Sequence, residues 1–167
     1  VILGMGGSAI GGDLLRDAVA HECPVPIRII RDYGLPADVG PSSLVIGSSY
    51  SGETEETLSA FQEASRRGAR LAVVAGGGRL KQEARSRRLP FLTINYQGEP
   101  RATLGYGFFL LLGLLHNLGM ISDRSKDLEE VGRVLADIML RIDRETPLNV
   151  NPAKQLAVKL HGRLAVV

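Results

Sequence analysis

The feature that most restricts this chain is a unit that recurs along it: a short apolar run, a turn rich in Gly or Ser, then an amphipathic stretch. Residues 1–4 lead into Gly6-Gly7-Ser8, and residues 43–48 (Ser-Leu-Val-Ile-Gly-Ser) lead into Ser-Tyr-Ser-Gly. Residues 70–75 lead into three consecutive glycines, Gly76 to Gly78. Residues 25–30 and 90–94 supply two further apolar runs. Five strands alternating with helices predict an α/β domain, its parallel sheet covered on both faces and joined by right-handed crossovers.

The helices follow from apolar spacing and caps. Ser8 is a suitable N-cap for a first helix whose apolar face is Ile10, Leu14, Leu15 and Val19. A second helix spans residues 54–67 and stops at Gly68, a good residue for a left-handed helix end. Residues 79–87 form a short basic helix, 101–118 an apolar one, and a polar helix opens at Asp123 or Ser125 and runs to about Arg144. Residues 145–151, with Pro147, read as a linker. Asn151 then caps another helix that has Pro152 at its first position. The apolar run 164–167 follows. This pattern predicts one domain over 1–146, and over 147–167 a linker and the opening of a second domain whose body lies beyond. By the same reading, Val1 falls inside or just before a strand, with the natural start of the chain upstream.

Charge and composition exclude several classes of function. Lys and Arg number 20 against 18 Asp and Glu, a net charge of +2. The densest basic cluster, Arg85-Ser86-Arg87-Arg88, has no interleaved aromatics and reads as a solvated helix end rather than a nucleic-acid patch. One cysteine, Cys23, allows no internal disulfide, which fits a reducing, cytoplasmic setting. The longest apolar stretch, 104–115, is broken by Gly105, Gly107 and Gly113 and is too short for a bilayer span, so no membrane is implied. His116 closes that stretch and reads as a packed or capping histidine.

Chemistry is expected where the strands end, since open α/β sheets bind ligands outside the carboxyl ends of their strands. Two turns have the composition for it. Gly6-Gly7-Ser8 lets a ligand approach the backbone at a helix N-terminus, where free N–H groups and the positive end of the dipole lie. Ser48-Ser49-Tyr50-Ser51-Gly52-Glu53-Thr54 puts four hydroxyls at a strand-to-helix turn, more than capping requires, and suits a phosphate dianion bound without a Lys. Gly4-Met5-Gly6-Gly7-Ser8-Ala9 also fits the loose dinucleotide fingerprint, with Asp32 as the ribose-binding acid. A dinucleotide fold, however, does not call for a second, hydroxyl-rich anion loop.

Five motifs make the reading specific. Ser51-Gly52-Glu53-Thr54-Glu55-Glu56-Thr57 resembles the Ser-Gly-Asn-Thr-Glu-Glu-Thr signature of sugar isomerase (SIS) domains. Gly4-Met5-Gly6-Gly7-Ser8-Ala9-Ile10-Gly11-Gly12-Asp13, Arg31-Asp32-Tyr33-Gly34-Leu35-Pro36 and Pro100-Arg101-Ala102-Thr103-Leu104-Gly105-Tyr106 narrow the resemblance to the bifunctional phosphoglucose/phosphomannose isomerases. Asn151-Pro152-Ala153-Lys154-Gln155-Leu156-Ala157 looks like that family's entry into its second SIS domain.

The resemblance implies a flavodoxin-like five-stranded sheet in each of two SIS domains, a sugar phosphate held between them, and a homodimer. It implies interconversion of glucose 6-phosphate or mannose 6-phosphate with fructose 6-phosphate, without metal or organic cofactor. By position, Gly6, Gly7 and Ser8 inherit the approach to the sugar. Ser49, Ser51 and Thr54, with Ser48 beside them, inherit the phosphate, and Arg101 inherits stabilisation of the enediolate. The family's proton-shuttling Glu and ring-opening His lie in its second domain, so the chain lacks the base and is expected to be inactive alone. An exposed apolar face where the second domain docks is expected as well. A non-enzymatic SIS module that senses a phosphosugar is the alternative. Glu53 stands where the signature has Asn, and is expected to point to solvent, away from the phosphate.

Overall fold

In the computed structural model, residues 1–164 are described. The apolar run at 164–167 falls mostly on residues 165–167, which lie outside the described residues. Two compact units divide at Ser122 and Asp123.

In the first unit the strands are β1 (Ile2–Leu3), β2 (Ile29–Ile30), β3 (Leu44–Ser49), β4 (Arg70–Ala75) and β5 (Phe91–Thr93). They pair in parallel in the order β2-β1-β3-β4-β5. The helices are α1 (Gly6–Ala18), α2 (Glu55–Arg66), α3 (Gly78–Ser86) and α4 (Leu104–Asn117), the last preceded by a 3-10 turn at Pro100–Thr103. Alternation along the central strands separates two cores. Val45, Val73 and Ala75 face Leu58, Phe61 and Ala64 of α2 and Leu80 and Ala84 of α3. Ile46, Ala72 and Val74 face Leu15 of α1 and Leu111, Leu112 and Leu115 of α4. Burial on both faces is what an all-parallel sheet requires, and the flavodoxin-like expectation holds.

Three expectations are corrected. Ser8 is not the N-cap: α1 begins at Gly6, Met5 is the capping position, and the N–H groups of Ser8 and Ala9 both reach the Met5 carbonyl. Ile10 and Leu14 do not face the core but are exposed, whereas the buried residues of α1 are Ala9, Gly11, Gly12 and Leu15. Small residues win there because α1 lies almost on the α4 backbone. A Cβ added to Gly11 would sit 3.2 Å from the Phe108 nitrogen and 3.3 Å from the Gly107 carbonyl carbon. His116, finally, read as packed or capping, is exposed in the last turn of α4, which removes the packed alternative. Elsewhere β4 spans the expected residues, and α2 ends as expected, with Gly68 at φ +73°.

The second unit contains α5 (Ser125–Ile142) and α6 (Pro152–Leu160). Asn151 caps α6 as expected, its Oδ1 accepting from the Lys154 N–H at 3.0 Å. Its Nδ2 donates to the Asp143 carbonyl at 2.9 Å, and the Lys154 ammonium donates to the carbonyls of Arg144 and Thr146 at 2.6 and 2.8 Å. The segment between the two helices is therefore tied to the first turn of α6. No residue of α5 is buried.

Candidate functional site

The carboxyl ends of β1 and β3 lie side by side, so the two turns that follow them are neighbours. Gly4 rests against β3, and a Cβ there would sit 3.0 Å from the Ser48 carbonyl oxygen. At the first turn Gly6 has φ +50°, and beyond its chain neighbours and its own helix no atom of the described residues lies within 4 Å of its Cβ position. At Gly7 the nearest atom to that position is the Pro100 carbonyl oxygen, at 3.9 Å. The first N–H groups of a helix lack intrahelical acceptors. Here they belong to two residues with no side chain to screen them.

The second turn is built differently. Pleating turns Ser48 to the α1–α4 side of the sheet and Ser49 to the α2–α3 side. Both are buried. The Ser49 hydroxyl lies 3.0 Å from that of Thr54 and 3.5 Å from that of Ser51. It accepts from the Gly52 N–H at 3.1 Å, while the Ser51 hydroxyl accepts from the Glu53 N–H at 3.2 Å. Thr54 stands at the N-cap of α2, but its hydroxyl goes to Ser49 rather than to the helix. Three hydroxyls thus form a chain at a helix N-terminus, with Ser51 at its exposed end. Ser48 stands apart from that chain: its hydroxyl is buried with no hydrogen-bond partner among the described residues.

Sequence reasoning missed what braces this loop. Gly52, at φ +69°, lies against the β4–α3 turn so closely that a Cβ would come within 1.9 Å of the Gly77 carbonyl oxygen. The Gly76 N–H donates to the Tyr50 carbonyl and the Leu80 N–H to the Gly52 carbonyl, each at 3.0 Å. The three glycines after β4 were legible as a turn, but not as the bed of the loop after β3. Tyr50 was also missed. Its phenol oxygen accepts from the Gly98 N–H at 3.2 Å and lies within donating distance of the carbonyls of Tyr96 and Gly98. Its ring packs on Tyr96, which packs in turn on Tyr106. This ties the segment leading to Arg101 to the end of β3.

Glu53 does leave the hydroxyl chain and is exposed, as expected, and there it is paired. Its carboxylate accepts from the Arg79 backbone N–H and from Arg79 Nε, each at 2.7 Å. The Arg79 side chain, then its backbone N–H, hold the Glu53 carboxyl below the usual range. Arg101, on the 3-10 turn, is exposed and pairs with Glu99 at 3.0 Å. No hydrogen bond among the described residues joins it to the loop after β3. Asp13 pairs with Arg31 and Arg16, and Asp32 accepts from the Tyr33 N–H at 2.7 Å. Both are engaged in local contacts. No group of three or more His, Cys, Asp or Glu suited to a metal occurs among the described residues, nor is any described helix long and apolar enough to cross a membrane.

The five-stranded, doubly covered parallel sheet is an α/β fold of the SIS type. The same fold appears in a crystal structure from Salmonella typhimurium LT2 assigned as a phosphosugar isomerase. That likeness has a TM-score of 0.61 at 19% identity and covers 95% of this chain and 49% of that one. No family model matches the chain. Among curated proteins it is similar to the bifunctional phosphoglucose/phosphomannose isomerase of Caldicellulosiruptor bescii, 46% identical over 100% of this chain and 49% of that protein. The enzyme of the same name from Thermoplasma acidophilum is 32% identical over 93% of this chain and 45% of its own length. A D-glucosamine-6-phosphate 4-epimerase from Sulfolobus acidocaldarius is 32% identical over 75% of this chain and 40% of its own length. The chain belongs to the bifunctional phosphoglucose/phosphomannose isomerase family and spans about half the length of the curated relatives it matches.

Proposed function

We propose that this chain is the sugar-phosphate-binding part of an aldose–ketose isomerase that interconverts glucose 6-phosphate or mannose 6-phosphate with fructose 6-phosphate. The observation that carries the reading is the linked set Ser49, Ser51 and Thr54 at the N-terminus of α2. Oriented hydroxyls, free N–H groups and a helix dipole are what a phosphate dianion needs when no Lys is present. The open turn at Gly6, Gly7 and Ser8 beside them leaves room for the sugar, and Ser48 lies between the two turns.

In this reading a base removes the proton from C2 and returns it to C1 through a cis-enediol. General acid–base catalysis of this kind contributes roughly 10²–10⁴-fold. Arg101 supplies fixed positive charge to the enediolate. Its 3-10 turn flanks the first helix turn, as the approach of Pro100 to Gly7 shows. Neither the base nor the ring-opening acid is assigned to a residue of this chain. Both belong to a second SIS domain, for which residues 147–167 are the linker and opening, after a first domain over 1–146. The whole enzyme is proposed to act as a cytoplasmic homodimer.

Calorimetric titration with fructose 6-phosphate, with NAD as control, tests the reading. Binding of the sugar phosphate should weaken about tenfold or more in Ser51→Ala, the loss of a hydrogen bond to a charged group. Binding of NAD in its place would make Gly4 to Ala9 a dinucleotide turn and end the isomerase reading. Isomerisation by the purified chain at the rate of a full-length relative would refute the assignment of the base to another domain.

A further inference from the structure

Glu53 puts a formal negative charge in the middle of a loop built for an anion. Its own N–H donates to the Ser51 hydroxyl, so its main chain is part of that loop. Only the direction of its side chain keeps the carboxylate away, and that direction is set from α3. Arg79 donates to both carboxylate oxygens, from its backbone N–H to Oε1 and from Nε to Oε2. The carboxylate also sits at the N-terminal end of α3, where a negative charge is favoured. Gly78 makes the space. It has φ +67°, and a Cβ on it would lie 2.7 Å from Glu53 Oε1 and 2.5 Å from the Ser51 carbonyl oxygen.

We propose that Arg79 is a positioning residue for the anion loop: by holding the Glu53 carboxylate on the N-terminus of α3, it keeps a like charge from the ligand's phosphate. The proposal rests on the sugar-phosphate reading and adds a residue that no hydrogen bond among the described residues joins to the hydroxyls. Without the Arg79 side chain the carboxylate keeps only the backbone N–H, and it can rotate back over its own loop more readily, where it repels a dianion and competes for the N–H groups that would bind it. The pair is half exposed, with side-chain exposures of 61% for Arg79 and 50% for Glu53. An exposed ion pair of this kind contributes little to stability. The effect of Arg79 therefore falls on affinity, with little on melting, which a merely structural ion pair would not produce.

The test is a double-mutant cycle read by calorimetry with fructose 6-phosphate at low salt, alongside thermal melting of each variant. Arg79→Ala should weaken binding about tenfold while its melting curve stays close to the parent's. Glu53→Asn in that background removes the repelling charge and should restore binding to within about threefold of the parent. The loss in Arg79→Ala should also shrink as salt is raised, since the repulsion is exposed to screening. Parent-like affinity in Arg79→Ala overturns the proposal, as does a double variant that binds no better than Arg79→Ala alone. A parent chain that is folded but does not bind the sugar phosphate refutes the sugar-phosphate reading itself, and the inference with it. That result is distinct from a parent that binds and an Arg79 that makes no difference.

Discussion

Glycine serves opposite purposes in the two turns at the carboxyl edge of the sheet. Beyond their chain neighbours and their own helix, no atom of the described residues lies within 4 Å of a Cβ position at Gly6, and at Gly7 the nearest is 3.9 Å away. At Gly52 the same position is 1.9 Å from a carbonyl oxygen, and at Gly76 and Gly78 it is 2.7 and 2.5 Å from others. The second turn lacks side chains so that two stretches of main chain can touch. The first lacks them although the protein has nothing to put in the space. Close packing accounts for one set of glycines; in the other, the left-handed φ of +50° favours glycine at Gly6, and the proposed reading gives the open space to a ligand.

Substitutions sharpen this contrast. Gly52→Ala has the largest expected effect. It combines a left-handed backbone with a collision against main chain, and should destabilise by about 3 kcal/mol or more. At this chain length that lowers the melting temperature by roughly 6–12 °C. A melting curve like the parent's would mean that the two loops do not bear on each other. Ser49→Ala should follow, at about 1–3 kcal/mol, because it leaves the buried Gly52 N–H without its acceptor. Chemical denaturation would measure this, and an unchanged midpoint would make Ser49 a ligand contact only.

Tyr50→Phe removes the phenol that receives the Gly98 N–H and should cost about 1 kcal/mol. Faster amide exchange at Gly98 would locate that loss. Gly7→Ala is the mildest for the fold and the most telling for the comparison. Inside the first turn of α1 it should stabilise by roughly 0.5–1 kcal/mol. It should nonetheless weaken fructose 6-phosphate binding, because its methyl occupies the space left for the sugar. If it stabilised the chain and left affinity intact, the open turn would be no ligand site.

The acid limb of the stability curve tests the neighbouring ion pair. The Glu53 carboxyl is depressed by Arg79. Its contribution is present above the ordinary glutamate range and is lost as pH falls through its lower folded value. Glu53→Gln should therefore reduce the stability lost on acidification, by a small amount because the pair is exposed.

Much of this arrangement was legible in the sequence. The strand β4, the end of α2 at Gly68 and the cap at Asn151 follow from local chemistry, and the structure has them where the residues put them. The failures share a cause. Ile10 and Leu14 were assigned to the core because periodicity ranks residues by size. The α1–α4 contact instead selects for the absence of a side chain at Gly11, which lies against the main chain of Gly107 and Phe108. Ser8 lost the cap to Met5 because Gly6 and Gly7 let the helix begin earlier than a hydroxyl-based rule expects. The partner of Glu53 lies 26 residues along the chain. So does the carbonyl that Gly52 meets, less one residue: 77 − 52 = 25. No local rule reaches that far. The hydroxyl set itself was visible as composition, while its division into buried Ser48 and Ser49, half-buried Thr54 and exposed Ser51 appears only with the fold.

The seating of Gly52 on Gly77 has a consequence for variation. A library that randomises the loop after β3 and leaves the turn after β4 untouched should return only glycine at position 52, whatever ligand is used for selection. Changes in specificity at the hydroxyl positions are open to single steps. A change in the path of the loop is not, since two distant stretches of the gene would have to move together.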